Sequence, residues 1–194
     1  MTRFAPQTPT VQPRVRMATL ADAEGMARVS VDTWKLTYGG ILPGDYLARM
    51  RRTAHETQRR RMMSSADTVH FIAEEPVTGE AVGFASAGTA RGDVAGATAE
   101  IYELYVQNGF QRRGLGQNMV RAAGAWLARR GHEGMIIWVL ADNPNRVFYE
   151  RIGGRPAGRR AIRVGGATVD EAAFVWRLER GASTACLRPF SDSD

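Results

Sequence analysis

The sequence predicts a mixed α/β sheet in one domain. Strand-like and helix-like segments interleave along the chain, and two strands joined by Gly165-Gly166 close it. A glycine turn, Gln111-Arg112-Arg113-Gly114-Leu115-Gly116, carries a strand into an amphipathic helix. With 194 residues, a single substantial core is the default.

Val11 to Met17 reads as the first strand. Thr19 followed by Asp22 is a capping-box variant that opens a helix with Ala23, Met26, Ala27, Ser30, Trp34 and Tyr38 on one face. Gly39-Gly40 ends it, and Pro43-Gly44-Asp45 is a turn. A short helix then runs to about Arg51, and Thr53 with Glu56 starts another. Thr68–Ala73 and Ala81–Thr89 read as strands, with Gly83 a weak point in the second. Ala90–Thr98 reads as a loop and Ala99–Val106 as the strand that feeds the glycine turn.

In that strand Ile101, Leu104 and Val106 are spaced by three and then two, which breaks strict alternation. A bulge near Tyr102-Glu103 would restore the register. Burial on both faces is the other reading. The helix from Gly114 presents Leu115, Met119, Ala123, Trp126 and Leu127, with Arg129 and Arg130 in its last turn and Gly131 beyond it. Met135–Leu140 is a continuous apolar run suited to a central strand. Pro144 suits the first turn of the next helix. Ala172, Phe174, Trp176 and Leu178 alternate in the last strand.

Composition excludes several classes. No apolar run is long enough to span a bilayer, and Thr2 to Pro13 is polar, with three prolines, which is unlike a signal peptide. Residues 1–13 and 180–194 are expected as polar tails around a domain at 14–179. The single cysteine, Cys186, excludes an internal disulfide framework and fits a reducing cytosol. Without an ordered context it is a poor candidate for a catalytic thiol. His55, His70 and His132 lack ligand spacing, so no metal is expected. The net charge of +6 comes from dispersed arginines; Arg49-Arg51-Arg52 and Arg59-Arg60-Arg61 read as solvated helix faces rather than a nucleic-acid patch.

The glycine turn suits an anion. Backbone N–H groups at a helix N-terminus point at a ligand, glycine permits close approach, and arginines add charge-assisted bonds. It is neither a Walker loop, lacking Lys-Ser/Thr, nor a dinucleotide fingerprint, since Met119 stands at the third glycine position. The pattern Gln/Arg-x-x-Gly-x-Gly after Leu104-Tyr105-Val106 resembles the acyl-coenzyme A site of the GNAT superfamily of N-acetyltransferases. Asn143…Phe148-Tyr149-Glu150-x-x-Gly153 is similar to a second segment of that family, and the resemblance covers about residues 14–179.

That resemblance implies a mixed, mostly antiparallel sheet flanked by helices, and acetyl-CoA as cofactor. It places Gln111, Arg112, Arg113, Gly114, Leu115, Gly116 and Gln117 on the diphosphate, and the main chain of Leu104, Tyr105 and Val106 on the pantetheine arm and thioester carbonyl. Asn143 and Phe148 join the cofactor site. Tyr149 matches the tyrosine that protonates the leaving thiolate; packing of a helix onto the sheet is its other reading. Asn143 to Tyr149 spans six positions where the family has seven, which leaves Asp142 and Asn143 as alternatives. Glu100 matches a base of histone-type members and Glu103 lies nearer the bulge; water is the third option. Trp138 stands where ribosomal-protein N-terminal acetyltransferases carry a glutamate. Trp34 and Tyr38 either line an acceptor pocket or pack the core. The implied acceptor is a small-molecule amine, with a protein N-terminus or lysine, or a non-catalytic acyl-CoA sensor, as alternatives. A homodimer is an expectation of the resemblance alone.

Overall fold

A computed structural model describes residues 12–94, 96–179 and 187–188. Cys186 and nearly all of both expected tails lie outside them. The first strand, β1 (Arg14–Met17), starts just after Pro13, which cannot donate to a ladder. A 3-10 turn at Leu20–Asp22 leads into α1 (Ala23–Thr37). The Thr19 N–H donates to Asp22 Oδ2 at 2.7 Å, so the capping pair is used, on the turn rather than on the helix proper.

Next come α2 (Gly44–Arg49) and α3 (Arg52–Met63). The Pro43-Gly44-Asp45 segment is thus a helix start rather than a free turn, and α3 begins one residue before Thr53, which therefore is not its cap. The strands β2 (Thr68–Glu74), β3 (Ala81–Val94) and β4 (Ala97–Val106) form an antiparallel meander. The expected loop at 90–98 is mostly strand: β3 runs to Val94, and β4 resumes at Ala97. Its polar composition misled because a carboxylate on β4, Glu100, accepts from the Arg91 backbone N–H at 3.0 Å and anchors the extension.

Helix α4 (Leu115–Arg129) follows, then β5 (Gly134–Leu140), α5 (Val147–Arg151), β6 (Arg155–Val164), β7 (Ala167–Leu178) and the two-residue β8 (Leu187–Arg188). Gly131, at φ 90°, closes α4 in the left-handed conformation, with His132 N–H donating to Leu127 O at 3.2 Å and Gly131 N–H to Ala128 O at 3.1 Å. Pro144 precedes α5 by three residues instead of lying in its first turn.

The sheet order is β1-β2-β3-β4-β5-β7-β6, with β8 on β7. Among the described strands, β4 and β5 pair in parallel and the other pairs are antiparallel. Helix α4 covers one face through Leu115, Met119, Ala123 and Leu127 against Phe71, Ile101, Phe174 and Trp176. Helix α1 covers the other through Met26 and Val29 against Ile72 and Phe84. Ala173 and Val175 are as buried as the alternating set expected in β7, because they pack with Ala97, Ile136 and Trp138.

Both readings of the Ile101/Leu104 spacing hold. Ser86 pairs with Glu103 and Ala87 with Ile101, so Tyr102 is an extra, unpaired residue in β4. That bulge keeps Ile101 and Leu104 on the α4 face.

Candidate active site

The cleft originates where β4 and β5 part. They pair at Ala99–Met135, Glu100–Ile136 and Ile101–Ile137, and pairing stops at the Tyr102 bulge. A cleft of about 1480 Å³ fills the gap. The Gln107 N–H donates to Val82 O at 2.9 Å. By the alternation of an antiparallel ladder, Tyr105 and Glu103 then turn their main-chain groups to β3, and Leu104 and Val106 turn theirs to the gap. Tyr105 thus differs from its neighbours: its main chain belongs to the β3 ladder, and its hydroxyl accepts from Trp34 Nε1–H at 2.7 Å. Gln111 Nε2 donates to Val106 O at 3.0 Å, which fixes the turn against the strand end.

The glycine turn borders the same cleft. Arg112 (φ 59°) and Gly114 (φ 76°) are left-handed, and this curls the chain into α4. The first intrahelical bond runs from Asn118 N–H to Gly114 O, so the N–H groups of Leu115, Gly116 and Gln117 have no partner one turn back. No acidic residue occupies this first turn. Buried Leu115 anchors it to the core. A Cβ on Gly116 would come 3.1 Å from Phe148 Cζ, so glycine lets α4 and α5 close on each other. These unpaired donors and positive dipole suit a diphosphate. Arg112 lines the cleft, but Arg113 does not: its guanidinium lies over the Phe110 ring at 5.2 Å.

Helix α5 sets Tyr149 into the wall. Its ring stacks on Phe174 (5.5 Å) and meets Phe148 edge-on (5.2 Å). Burial holds its phenol well above the ordinary tyrosine range, so it stays protonated at neutral pH. Among the described residues no hydrogen bond engages its hydroxyl. Asn143, not exposed Asp142, reaches the cleft. Its amide is committed, however: Nδ2 donates to Tyr38 Oη at 3.2 Å, and Oδ1 accepts from Asn145 N–H at 2.8 Å. Asn143 therefore shapes the turn before α5 and holds Tyr38, and its side chain has little left for a cofactor. Burial pushes the Tyr38 phenol up to about 12.

The two candidate carboxylates part company. Glu100 lies off the cleft wall with its side chain 3% exposed, gripped by Arg91 Nη2 at 2.6 Å and the Arg91 N–H. A sealed, fully paired carboxylate is a poor base, which removes the base reading of Glu100. Glu103 lines the cleft, with its side chain 17% exposed. Its Oε2 accepts from Arg59 Nη1, and Oε1 makes no hydrogen bond among the described residues.

Two arginines that the sequence does not single out support this wall: Arg91 lines the cleft and Arg59 holds Glu103. The sequence groups Arg59 with a solvated arginine run, yet its side chain is 1% exposed, with Nη2 donating to Ser30 Oγ at 3.3 Å and its guanidinium 4.9 Å from the Phe84 ring. Arg91 fell in the expected loop. The signal available for Arg59 was its place four residues after His55, on the helix face that meets α1: His55 Nδ1 also lies 3.3 Å from Ser30 Oγ.

The remaining wall joins Trp34, Tyr38, Trp138, Ile162, Val164 and Glu171. Trp34 and Tyr38 are both cleft and core, since they pack edge-on at 5.1 Å in the cluster with Leu42 and Leu47. Among the described residues no group of three His, Cys, Asp or Glu side chains could hold a metal, and no helix is long and apolar enough to cross a membrane.

Residues 83–164 match the FR47-like protein family, a stretch that holds β4, the glycine turn and Tyr149. An uncharacterized N-acetyltransferase, YuaI of Bacillus subtilis (strain 168), is 29% identical over 163 residues, covering 84% of this chain and 91% of the relative. Among solved structures, the PaiA N-acetyltransferase of Thermoplasma acidophilum in complex with coenzyme A superposes with a TM-score of 0.61 at 18% identity, over 84% of this chain and 98% of that one. An N-acetyltransferase of Staphylococcus aureus Mu50 gives 0.65 at 16% identity, over 86% and 99%.

Proposed function

We propose that the chain is a GNAT-type N-acetyltransferase, a reading supported by the FR47-like match, the N-acetyltransferase relative and the shared fold, and that it transfers an acetyl group from acetyl-CoA to the primary amine of a small molecule by direct attack in a ternary complex. One observation carries the reading. The main chain of Leu104 and Val106, which takes no strand partner on the β5 side, the N–H groups of Leu115, Gly116 and Gln117, which have no partner one turn back, and the Tyr149 side chain all border one continuous cleft.

When bound, the cofactor supplies an activated acetyl thioester. The N-terminus of α4 and Arg112 hold its diphosphate by charge-assisted bonds. Leu104 and Val106 hold an extended arm as an added strand would, and a main-chain N–H there polarises the acyl carbonyl. Tyr149 Oη keeps a proton ready for the departing sulfur, because burial suppresses its ionisation. The amine sheds its proton to Glu103 Oε1 or to water, since Glu100 is sealed. A small acceptor is favoured because the β6–β7 hairpin walls the far end: Gly165 packs on Tyr46 of α2, and Ile162 and Val164 join the Trp34 cluster.

The test is coenzyme A thiol release across a panel of small amines and amine-bearing peptides. Turnover with small amines supports the reading. Tight coenzyme A binding with no turnover on any amine would make the chain an acyl-CoA sensor, and selective turnover of peptides would move it to the protein-acetylating class.

A further inference from the structure

The cleft wall beyond the bulge carries two oppositely charged groups, each fixed from behind by a buried partner. Arg91 is 62% exposed on its side chain and lines the cleft. Glu100 occupies its Nε (3.3 Å) and Nη2 (2.6 Å), and its guanidinium lies 4.5 Å from the Tyr102 ring centroid. Tyr102 is pinned in turn: its hydroxyl donates to Thr89 O at 2.6 Å, and its ring covers Gly88, where an added Cβ would come 2.6 Å from the Tyr102 Oη. The guanidinium is therefore immobilised, and among the described residues Nη1 makes no hydrogen bond. Next to Tyr102, Glu103 is held by fully buried Arg59 and keeps Oε1 free. The two groups feel each other: the Arg91 guanidinium is held above its ordinary range first by its hydrogen bond to Glu100, and the Glu103 charge adds to this.

We propose that Arg91 and Glu103 form an acceptor subsite for an amine that also carries an anionic group, such as the α-carboxylate of an amino acid. This rests on the acetyltransferase reading above. Glu103 Oε1 accepts from the ammonium, and Arg91 Nη1 donates to the carboxylate. Neither side chain must be ordered on binding, because Arg59 and Glu100 have already fixed both. Glu100 thereby becomes a positioning residue that aims Arg91. The apolar walls of Trp34, Ile162 and Val164 remain for the acceptor's side chain.

The experiment compares matched acceptors with the intact protein and acetyl-CoA: phenylalanine, its carboxamide and 2-phenylethylamine, then leucine and isoamylamine. Thiol release is followed at varied acceptor concentration. The amino acids should exceed their decarboxylated and amidated counterparts in kcat/KM by about tenfold or more, because a site that hydrogen-bonds a group penalises its loss. Arg91→Gln leaves the buried Glu100 charge without its guanidinium, with the residue 91 backbone N–H as remaining donor, and can misfold, so the paired variant Arg91→Gln/Glu100→Gln, which removes both charges, is measured beside it. In the paired variant the preference should collapse through KM. Glu103→Gln should lower kcat/KM for acid and amine alike, without changing the preference between them. Simple amines turned over as well as, or better than, amino acids would overturn this subsite and leave the acetyltransferase reading standing. Absence of turnover with every acceptor would overturn both.

Discussion

Tyr149→Phe separates chemistry from structure unusually well in this molecule. The hydroxyl makes no hydrogen bond among the described residues, so its removal orphans no donor or acceptor. Phenylalanine keeps the stack on Phe174 and the edge contact with Phe148, and hence the buried apolar area. The stability change should stay under about 1 kcal/mol. What is lost is the proton for the leaving sulfur. General acid catalysis is worth on the order of 10²–10⁴ in rate, so kcat should fall at least about a hundredfold, or roughly 2.7 kcal/mol of barrier. The dissociation constant for coenzyme A should move less than about twofold, because the interaction is made in the transition state.

Initial rates of thiol release, calorimetric titration with coenzyme A and thermal unfolding together check all three numbers. The environment of Tyr149 adds a pH signature. Burial raises its ionisation well above the free value. The wild-type rate should therefore show no alkaline decline at the ordinary tyrosine pKa of about 10. A variant that keeps kcat within about threefold, or an alkaline limb near that value, would remove Tyr149 from the acid role and return it to packing.

Three further outcomes follow from the geometry. His70 is buried, its Nδ1 2.9 Å from Ser86 Oγ, and burial lowers it to about 4. Its folded pKa lies below the unfolded one, so the stability it contributes is present above about pH 6.5 and is lost as pH falls towards about 4. Urea melts at pH 7 and 4.5 should show wild type losing roughly 2–3 kcal/mol more than His70→Gln; equal losses would refute a neutral buried His70. Gly116→Val drives a side chain into Phe148, and calorimetry should show coenzyme A affinity about tenfold weaker, roughly 1.4 kcal/mol; unchanged affinity would take the α4 turn out of the site. Gly114 has open space around its Cβ position but φ of 76°, so Gly114→Val should cost about 1–2 kcal/mol in thermal unfolding and Gly114→Asn less; equal costs would refute the backbone argument.

The elements legible in the sequence are those set by local rules. Glycine closure of α4 at Gly131, the apolar run of β5 and the Gly165-Gly166 hairpin all depend on neighbours in sequence, and all are present. The glycine turn and Tyr149, singled out by the resemblance, both border the cleft. What stayed hidden depends on partners far along the chain. Asn143 is tied to Tyr38 across 105 residues, and Arg59 to Glu103 across 44. Only its step of four from His55 sets Arg59 apart from exposed Arg60, because its burial is decided by α1 and β4. Glu100 reads as an exposed strand carboxylate until Arg91 is brought over it by a strand extension that composition presents as loop.

A single inserted residue connects the legible half to the hidden half. In a regular strand Glu100 and Glu103, three apart, would face opposite sides of the sheet. Tyr102 takes no partner in β3, so the alternation slips by one. Ile101 and Leu104 then share the α4 face, and both glutamates are delivered to the opposite one, where α1 and α3 lie. There each meets an arginine from a different direction, Arg59 from α3 and Arg91 from the β3 extension. The same slip ends pairing with β5 and opens the cleft. The gap that admits an extended ligand and the charged wall facing it are thus two consequences of one bulge. A substitution series in this family of contacts should accordingly be read around Tyr102 before it is read around either carboxylate.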